Sequence, residues 1–563
     1  MDDQVQRAAA ESSSQIKFCR GNLLHHVPAV IREEVKQLFL LAGPLILSQM
    51  MIYSLNFISS AFSGHLGKSE LGAVSLATSV ISVAGVAVGT GLSMACDTLI
   101  SQTYGSRNLK RIGVILQRGI LILMIFCFPC WALFINTEKI LLGAKQDPEV
   151  ARLCQLYVKI FIPALPAVFL YQLQIRYLQN QGIIMPQVFT GLVANVLSAL
   201  INYSFLFVLK LGVAGCAWAN VISQYCQVIV LFVYIRWRKL YLNTWGGWTT
   251  DCLQEWGPFL QLAVPSMLMF CIELWAYEMG SFLAGLISQV ELGAQSIIFQ
   301  VLTVLYMTHV GIGVAAGVRV GIALGGGDPH QAKVSAVTAI VCTGCVALIL
   351  IALLLVLKDV IAKVFTSDRQ IIELVSRTIP ILAPFHLCDA IGTGVASGIV
   401  RGTGKQRIGA VANLVVFYVV GIPVGISLMF AAKLGILGLW TGLAISTFLL
   451  SAFLLTLIFR MNWNAMAEEA QERAGLRKRI EPITVAELEA SVQDLTEDST
   501  LASSQRRAEQ DQLERTSLIS SNSLNLVGDI LSPTQLVVRR GLAVLAGLVV
   551  LAVGVAVHFT EEL

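Results

Sequence analysis

Leu41-Ala42-Gly43-Pro44 and Leu262-Ala263-Val264-Pro265 carry one motif 221 positions apart, and residues 40–73 and 261–294 continue it without a gap. In that register Ser60 meets Ser281, Gly64 meets Gly285, and Glu70-Leu71-Gly72-Ala73 meets Glu291-Leu292-Gly293-Ala294. Further on, Gly105 reaches Gly327, Val193-Ala194-Asn195 matches Val411-Ala412-Asn413, and Lys210-Leu211-Gly212 matches Lys433-Leu434-Gly435. Duplicated hydrophobic halves place a substrate site at a central interface that opens to either side. The repeat therefore points to transport.

The composition agrees. The chain is 56% hydrophobic and 13% charged, whereas soluble domains carry about 25% charged residues. Its mean hydropathy of +0.73 is that of an integral membrane protein. Residues 1–32 are polar and lack the apolar core of a cleaved signal. A net charge of +4 makes no case for nucleic acid. The twelve cysteines lie mostly in apolar runs without metal-ligand spacing, and Cys127-Phe128-Pro129-Cys130 falls inside a helical run, where packing is its expected role. No nucleophile triad, phosphate loop, cofactor motif or metal motif argues for an enzyme.

Runs of about 20 apolar residues, enough to cross a bilayer, fall near 38–62, 71–99, 112–135, 153–176, 188–209 and 213–235. A second set falls near 258–287, 292–324, 334–357, 371–400, 408–432 and 435–459, and Gly541–Phe559 forms a thirteenth. Six helices per half is an even number, so both copies insert in the same orientation. The expected fold is an all-α integral membrane protein of two six-helix lobes, related by a pseudo-two-fold along the membrane normal, plus a thirteenth C-terminal transmembrane helix. The expected segments are 1–35 (cytoplasmic), 36–245 (N-lobe), 246–462 (C-lobe), 463–537 (a cytoplasmic, largely disordered linker with a helical start after Trp463) and 538–563 (the last span).

Basic residues in short loops favour a cytoplasmic amino terminus. The inside loops then carry Arg107, Lys110, Arg111, Arg176, Arg236, Arg238, Lys239, Lys333, Arg401, Lys405 and Arg407, against a smaller set outside. Arg460, Arg477-Lys478-Arg479 and Arg539-Arg540 agree, which leaves the last residues, Thr560 to Leu563, extracellular.

Ionisable groups within membrane helices are costly and mark ion or substrate routes. The first helix of the first half has no acid between Leu38 and Phe62; its polar groups include Ser48, Gln49, Ser54 and Asn56. The matching helix of the second half carries Glu273 where the first has Ile52, and Glu278 where it has Phe57. Chemistry is therefore expected in the second half. Glu273 and Tyr277 share a helix face, and Glu278 borders it. Low dielectric favours the neutral form of a carboxyl, so such a site holds a proton facing one side and a cation facing the other. Asp389 is the other deep acid, with His386 one near-turn before it, close enough to form a relay or a structural pair. Tyr277, Trp275 and Tyr306 offer aromatic faces to a cation; Gln300 and Gln49 offer hydrogen bonds. Asp97 and Arg319 sit at equivalent places near the ends of helices two and eight, where positioning or pairing is expected. Prolines 44, 163, 166, 265, 380, 384 and 423 lie within membrane runs and permit bends.

Several stretches resemble the animal branch of the multidrug and toxin extrusion (MATE) family. They are Leu41-Ala42-Gly43-Pro44, the run from Ser93 to Gly105, Ala263-Val264-Pro265-Ser266-Met267-Leu268, Trp275-Ala276-Tyr277-Glu278, the run from Val290 to Ser296, and Arg401-Gly402-Thr403-Gly404. The likeness covers residues 33–462, and the thirteenth helix resembles vertebrate members. It implies a V-shaped central cleft and a secondary active antiporter exporting organic cations (drugs, toxins, metabolites) in exchange for protons, with Glu273, Glu278 and Asp389 as the shared site. It further implies small organic cations, protons and membrane lipids as partners, a monomer, and the plasma membrane, apical in epithelia. Gln300 and Asp389 stand where such members usually carry glutamate. The loss of charge at Gln300 is expected to weaken doubly charged cations more than singly charged ones. Sodium coupling, or a lipid or amphiphile flippase of the same superfamily, is the alternative; a flippase cavity would carry a cationic patch, whereas the deep charges here are acids.

Overall fold

The computed structural model describes residues 29–64, 67–476 and 531–559, and among these it is built of helices without a strand. The first half consists of α1 (Ala29–Ser63), α2 (Ser69–Gly105), α3 (Leu109–Ile135), α4 (Pro148–Phe161 and Ala164–Gln179), α5 (Met185–Val208) and α6 (Gly212–Trp237). The second consists of α7 (Trp256–Ile287), α8 (Gln289–Gly325), α9 (Pro329–Val364), α10 (Arg369–Thr403), α11 (Gln406–Ala431) and α12 (Ile436–Arg460), and α13 (Pro533–Phe559) follows. The expected N-terminal segment up to 28, the linker from 477 to 530 and the terminal residues 560–563 lie outside the described residues. The head of the expected linker is a helix, Trp463–Arg473.

Element boundaries follow local chemistry. Asp147, Asp328 and Asp368 cap α4, α9 and α10 by accepting from backbone N–H groups of the first turn. The run expected at 153–176 is two helices bent by 58°. The break falls at Ile162-Pro163, where proline supplies no N–H for the ladder.

The duplication is visible in three dimensions. Asn195 on α5 donates to the Met51 carbonyl of α1 (2.9 Å), and Asn413 on α11 donates to the Met269 carbonyl of α7 (3.1 Å). Lys210 and Lys433 both take the left-handed conformation, with φ of 51° and 55°. Each is followed two residues on by a positive-φ glycine, so the turn before the sixth helix of each half is built twice.

The two hydrophobic cores do not follow the boundary read from sequence. Leu38, Ala42 and Leu45 of α1 belong to the core of the second half. Trp256, Phe259, Leu262 and Ala263 of α7 belong to the core of the first. Each lobe thus lends the start of its first helix to the other. Two equivalent acids fix this exchange. Glu34 on α1 accepts from Arg319 of α8 and from Ser335 and Gln331 of α9. Glu255, which precedes α7, pairs with Arg111 and Arg118 of α3, both at 2.9 Å. Arg319, expected near a helix end in a positioning role, is therefore an inter-lobe partner.

At the same face α2 and α8 pack backbone to backbone. A methyl group at Gly105 would strike the Ile322 carbonyl, and one at Gly325 the Gln102 carbonyl. The helix Trp463–Arg473 lies across this junction. Arg473 donates to Gln102 and to the Thr403 carbonyl, Lys405 pairs with Glu469 at 3.0 Å, and Asn108 donates to the Ala474 carbonyl. On the periphery, α13 docks on α3 through its glycines, with Gly547 against Phe128 and Gly554 against Ala132. Asn136 donates to the Gly554 carbonyl at 2.8 Å.

Candidate functional site

Beyond the α2–α8 junction, two adjoining cavities of about 280 Å³ and 300 Å³ lie between the lobes. Glu273, Tyr53, Phe270 and Tyr306 line both, so the Glu273 carboxyl stands in the wall the two compartments share. Together they fall in the range of small-molecule sites. Glu273 is buried, on the turn of α7 below Tyr277.

The 300 Å³ compartment is lined by Glu278, Tyr277, Phe385, Asp389 and Trp440 among others. All three expected acids therefore border it. Tyr277 stacks on Trp440, with centroids 6.4 Å apart and planes at 26°, and meets Phe385, Phe417 and Phe299 at the same separation. Four rings around one phenol make an aromatic cluster beside carboxylates, which suits an organic cation. Trp440 is held in turn by donating to Gln295 at 2.8 Å.

Asp389 sits where α10 passes into a wider π-helical turn, Ala390–Ala396. Such turns occur often at functional sites. Thr393, one turn on, donates to one carboxylate oxygen at 2.6 Å. The other oxygen lies 3.3 Å from His309 Nε2 of α8. The sequence reading paired Asp389 with His386; in the structure the imidazole at ion-pair distance is that of His309. His386 lies beside it, with ring centroids 5.5 Å apart. His309 went unnoticed in the sequence, yet a histidine inside the apolar run 292–324 is itself a signal.

The 280 Å³ compartment lies on the side of Gln49, and Arg176 and Arg401 form part of its wall. The sequence places both arginines in loops. They sit instead at the last turns of helices, facing Asp97, with Arg176 at 3.2 Å and Arg401 at 3.8 Å. Asn180 adds a hydrogen bond to Asp97 at 3.1 Å. Asp97, expected near a helix end as a pairing residue, thus pairs with one arginine of its own half and one from the other.

Three expected lining residues are placed elsewhere. Trp275 faces outward from α7, and its indole N–H points to the Val83 carbonyl at 3.5 Å, which binds α7 to α2 rather than lining either compartment. Gln300 is exposed on α8 and absent from both walls. His386 is buried behind Asp389 instead of in the lining.

Comparison with known proteins agrees with this architecture. The MatE family model matches residues 44–204 and 265–427, once for each half. The chain is 51% identical over 557 residues to multidrug and toxin extrusion protein 1 of Danio rerio, covering 97% of this chain and 94% of that protein. It is 49% identical to the Homo sapiens protein of that name, covering 94% of each. Among solved structures, the eukaryotic MATE transporter AtDTX14 superposes with a TM-score of 0.76 at 30% identity, over 79% of this chain and all of that one. An outward-facing MATE family transporter of the MOP superfamily shares the fold at a TM-score of 0.66 and 15% identity, over 77% of this chain and 97% of that one. Two matched halves, a shared fold and identities near one half over nearly the whole length leave one conclusion: the chain is a multi-pass membrane transporter of the MATE family.

Proposed function

We propose that the protein is a secondary antiporter that exports organic cations in exchange for protons, with Glu273 as the coupling carboxyl and Glu278 and Asp389 as its partners in cation binding. The position of Glu273, buried in the wall common to both compartments, carries this reading. A carboxyl there meets cargo in the aromatic compartment and exchanges protons through the polar one. The two then compete for a single charge, as obligatory exchange requires.

The face of the α2–α8 junction would be the cytoplasmic one, in keeping with the basic residues near it. The epithelial plasma membrane fits export of this kind. A flippase for anionic lipid head groups is disfavoured because the only arginines lining these two compartments, Arg176 and Arg401, are both paired with Asp97.

The test is a gradient experiment on purified protein in vesicles loaded with acidic buffer. An outward proton gradient should drive uptake of a labelled quaternary ammonium ion at constant sodium. Uptake driven by a sodium gradient alone would replace protons with sodium in the mechanism. Movement of lipid without the ammonium ion would overturn the reading.

A further inference from the structure

We propose that His309, His386 and Asp389 form a binding site for a divalent first-row transition-metal ion, with an open coordination position towards the cavity. This goes beyond the organic-cation reading and does not depend on it.

The three side chains come from two helices, all are buried, and each offers one ligand atom within 4.8 Å of the others. Tetrahedral zinc with bonds of about 2.0–2.1 Å sets its ligand atoms roughly 3.3 Å apart. The 3.3 Å between His309 Nε2 and Asp389 Oδ2 already matches one such edge. Closing the rest asks His386 to shift by on the order of 1 Å, within the reach of a side-chain torsion.

Unmet bonding makes the stronger argument. Nδ1 of His309 and Nε2 of His386 have no hydrogen-bond partner, although the residues are 3% and 1% exposed, while His309 Nε2 stands 3.3 Å from the Asp389 carboxylate. Buried polar atoms of this kind are rare and costly. One metal ion would give the orphaned His386 nitrogen a partner while binding one nitrogen of His309 and one oxygen of Asp389. The donor set also selects its class. Sodium, magnesium and calcium prefer oxygen ligands, whereas imidazole suits zinc, copper, nickel and iron. Thr393 supplies the outer support, since its hydroxyl occupies Asp389 Oδ1 and leaves Oδ2 to face the two histidines. Asp389 lines the cavity, so a bound ion would be reachable from it. One divalent ion on one carboxylate leaves a net positive charge beside Glu273, which would repel an organic cation. Metal occupancy would then act as a brake on transport.

The test uses the purified full-length protein. Titration with chelator-buffered Zn²⁺ should show a saturable site whose affinity falls at least about tenfold in His309→Ala and in His386→Ala, and which Mg²⁺ does not occupy. Co²⁺ should give visible d–d absorption without sulfur charge-transfer bands, and His309→Ala should abolish it. His309→Gln, which keeps bulk and polarity, gives the same comparison if the alanine variant misfolds. Unchanged Zn²⁺ affinity in both histidine variants, thiolate bands with Co²⁺, or equal competition by Mg²⁺ would overturn the proposal. Zn²⁺ should also inhibit export by the unmodified protein, with His309→Gln at least about tenfold less sensitive; equal sensitivity would remove the brake while leaving the binding result standing.

Discussion

Helices α1 and α7 are the same element twice, and their likeness ends where the cavity begins. Both start with an acid that reaches into the opposite lobe, Glu34 in one and Glu255 in the other. Both receive an asparagine from the fifth helix of their own half. In the middle they part. Ile52 lines the polar compartment from α1, while Glu273, its counterpart in the repeat, stands in the wall between both compartments. The scaffold was kept symmetric and the charge placed on one side only. In the proposed exchange, that combination would let two lobes rock about a common junction with a single place where a cation and a proton meet.

The largest effect should come from breaking the asymmetry. Glu273→Gln should reach the membrane and lower proton-driven uptake by about a hundredfold, the scale of one lost buried charge contact of ~3 kcal/mol. The same residue in α1, Ile52→Gln, should stay within about threefold, because no charge is removed. Equal losses in the two variants, measured as initial uptake rates, would show that the lobes share the coupling.

Next come the two junction acids. Glu255→Gln deprives two guanidiniums, 5% and 3% exposed, of their carboxylate. It should cost about 3 kcal/mol and lower the melting temperature clearly. Glu34→Gln acts on Arg319, which is 21% exposed and better hydrated, so its loss should be smaller. A reversed order in thermal unfolding in detergent would mean that the two latches are not governed by burial.

A smaller, equal effect is expected at the staples. Asn195→Ala and Asn413→Ala should each cost about 0.6 kcal/mol, and the double variant should be additive because the two bonds share no group. Coupling between them would indicate that the lobes strain each other. The smallest effect belongs to Gln300→Glu. The site is off both cavity walls, so a charge there falls outside contact with cargo and any change in dication over monocation uptake should stay under about twofold. A larger preference for the dication would place Gln300 in the cargo path after all.

The repeat, the helix count and the lobe carrying the acids could be read from the sequence because each is a matter of hydrophobic runs and residue identity along the chain. The exchange of α1 and α7 between the cores could not, since Leu38 and Phe259 look like any buried apolar residue and periodicity does not name a partner. Arg176 and Arg401 were misread for a related reason: basic residues at the ends of apolar runs look like loop charges until a buried Asp97 is placed between them. The partner of Asp389 was misassigned because spacing of three residues predicts contact within a helix, while His309 arrives from another helix 80 residues away in sequence.

The docking of α13 has a practical consequence. Its contacts run to α3, to the Lys139 ammonium, and to Leu253, Gln254 and the Trp256 ring, over which Arg540 lies at 4.3 Å. Trp256 belongs to the first core, and Leu253 and, from α13, Ala543 pack against it. A fluorophore attached near the end of α13 is thereby a passenger of one lobe alone. Paired with a second dye on α9 of the other lobe, it would turn each transport cycle into a change in energy transfer that a single-molecule measurement can time.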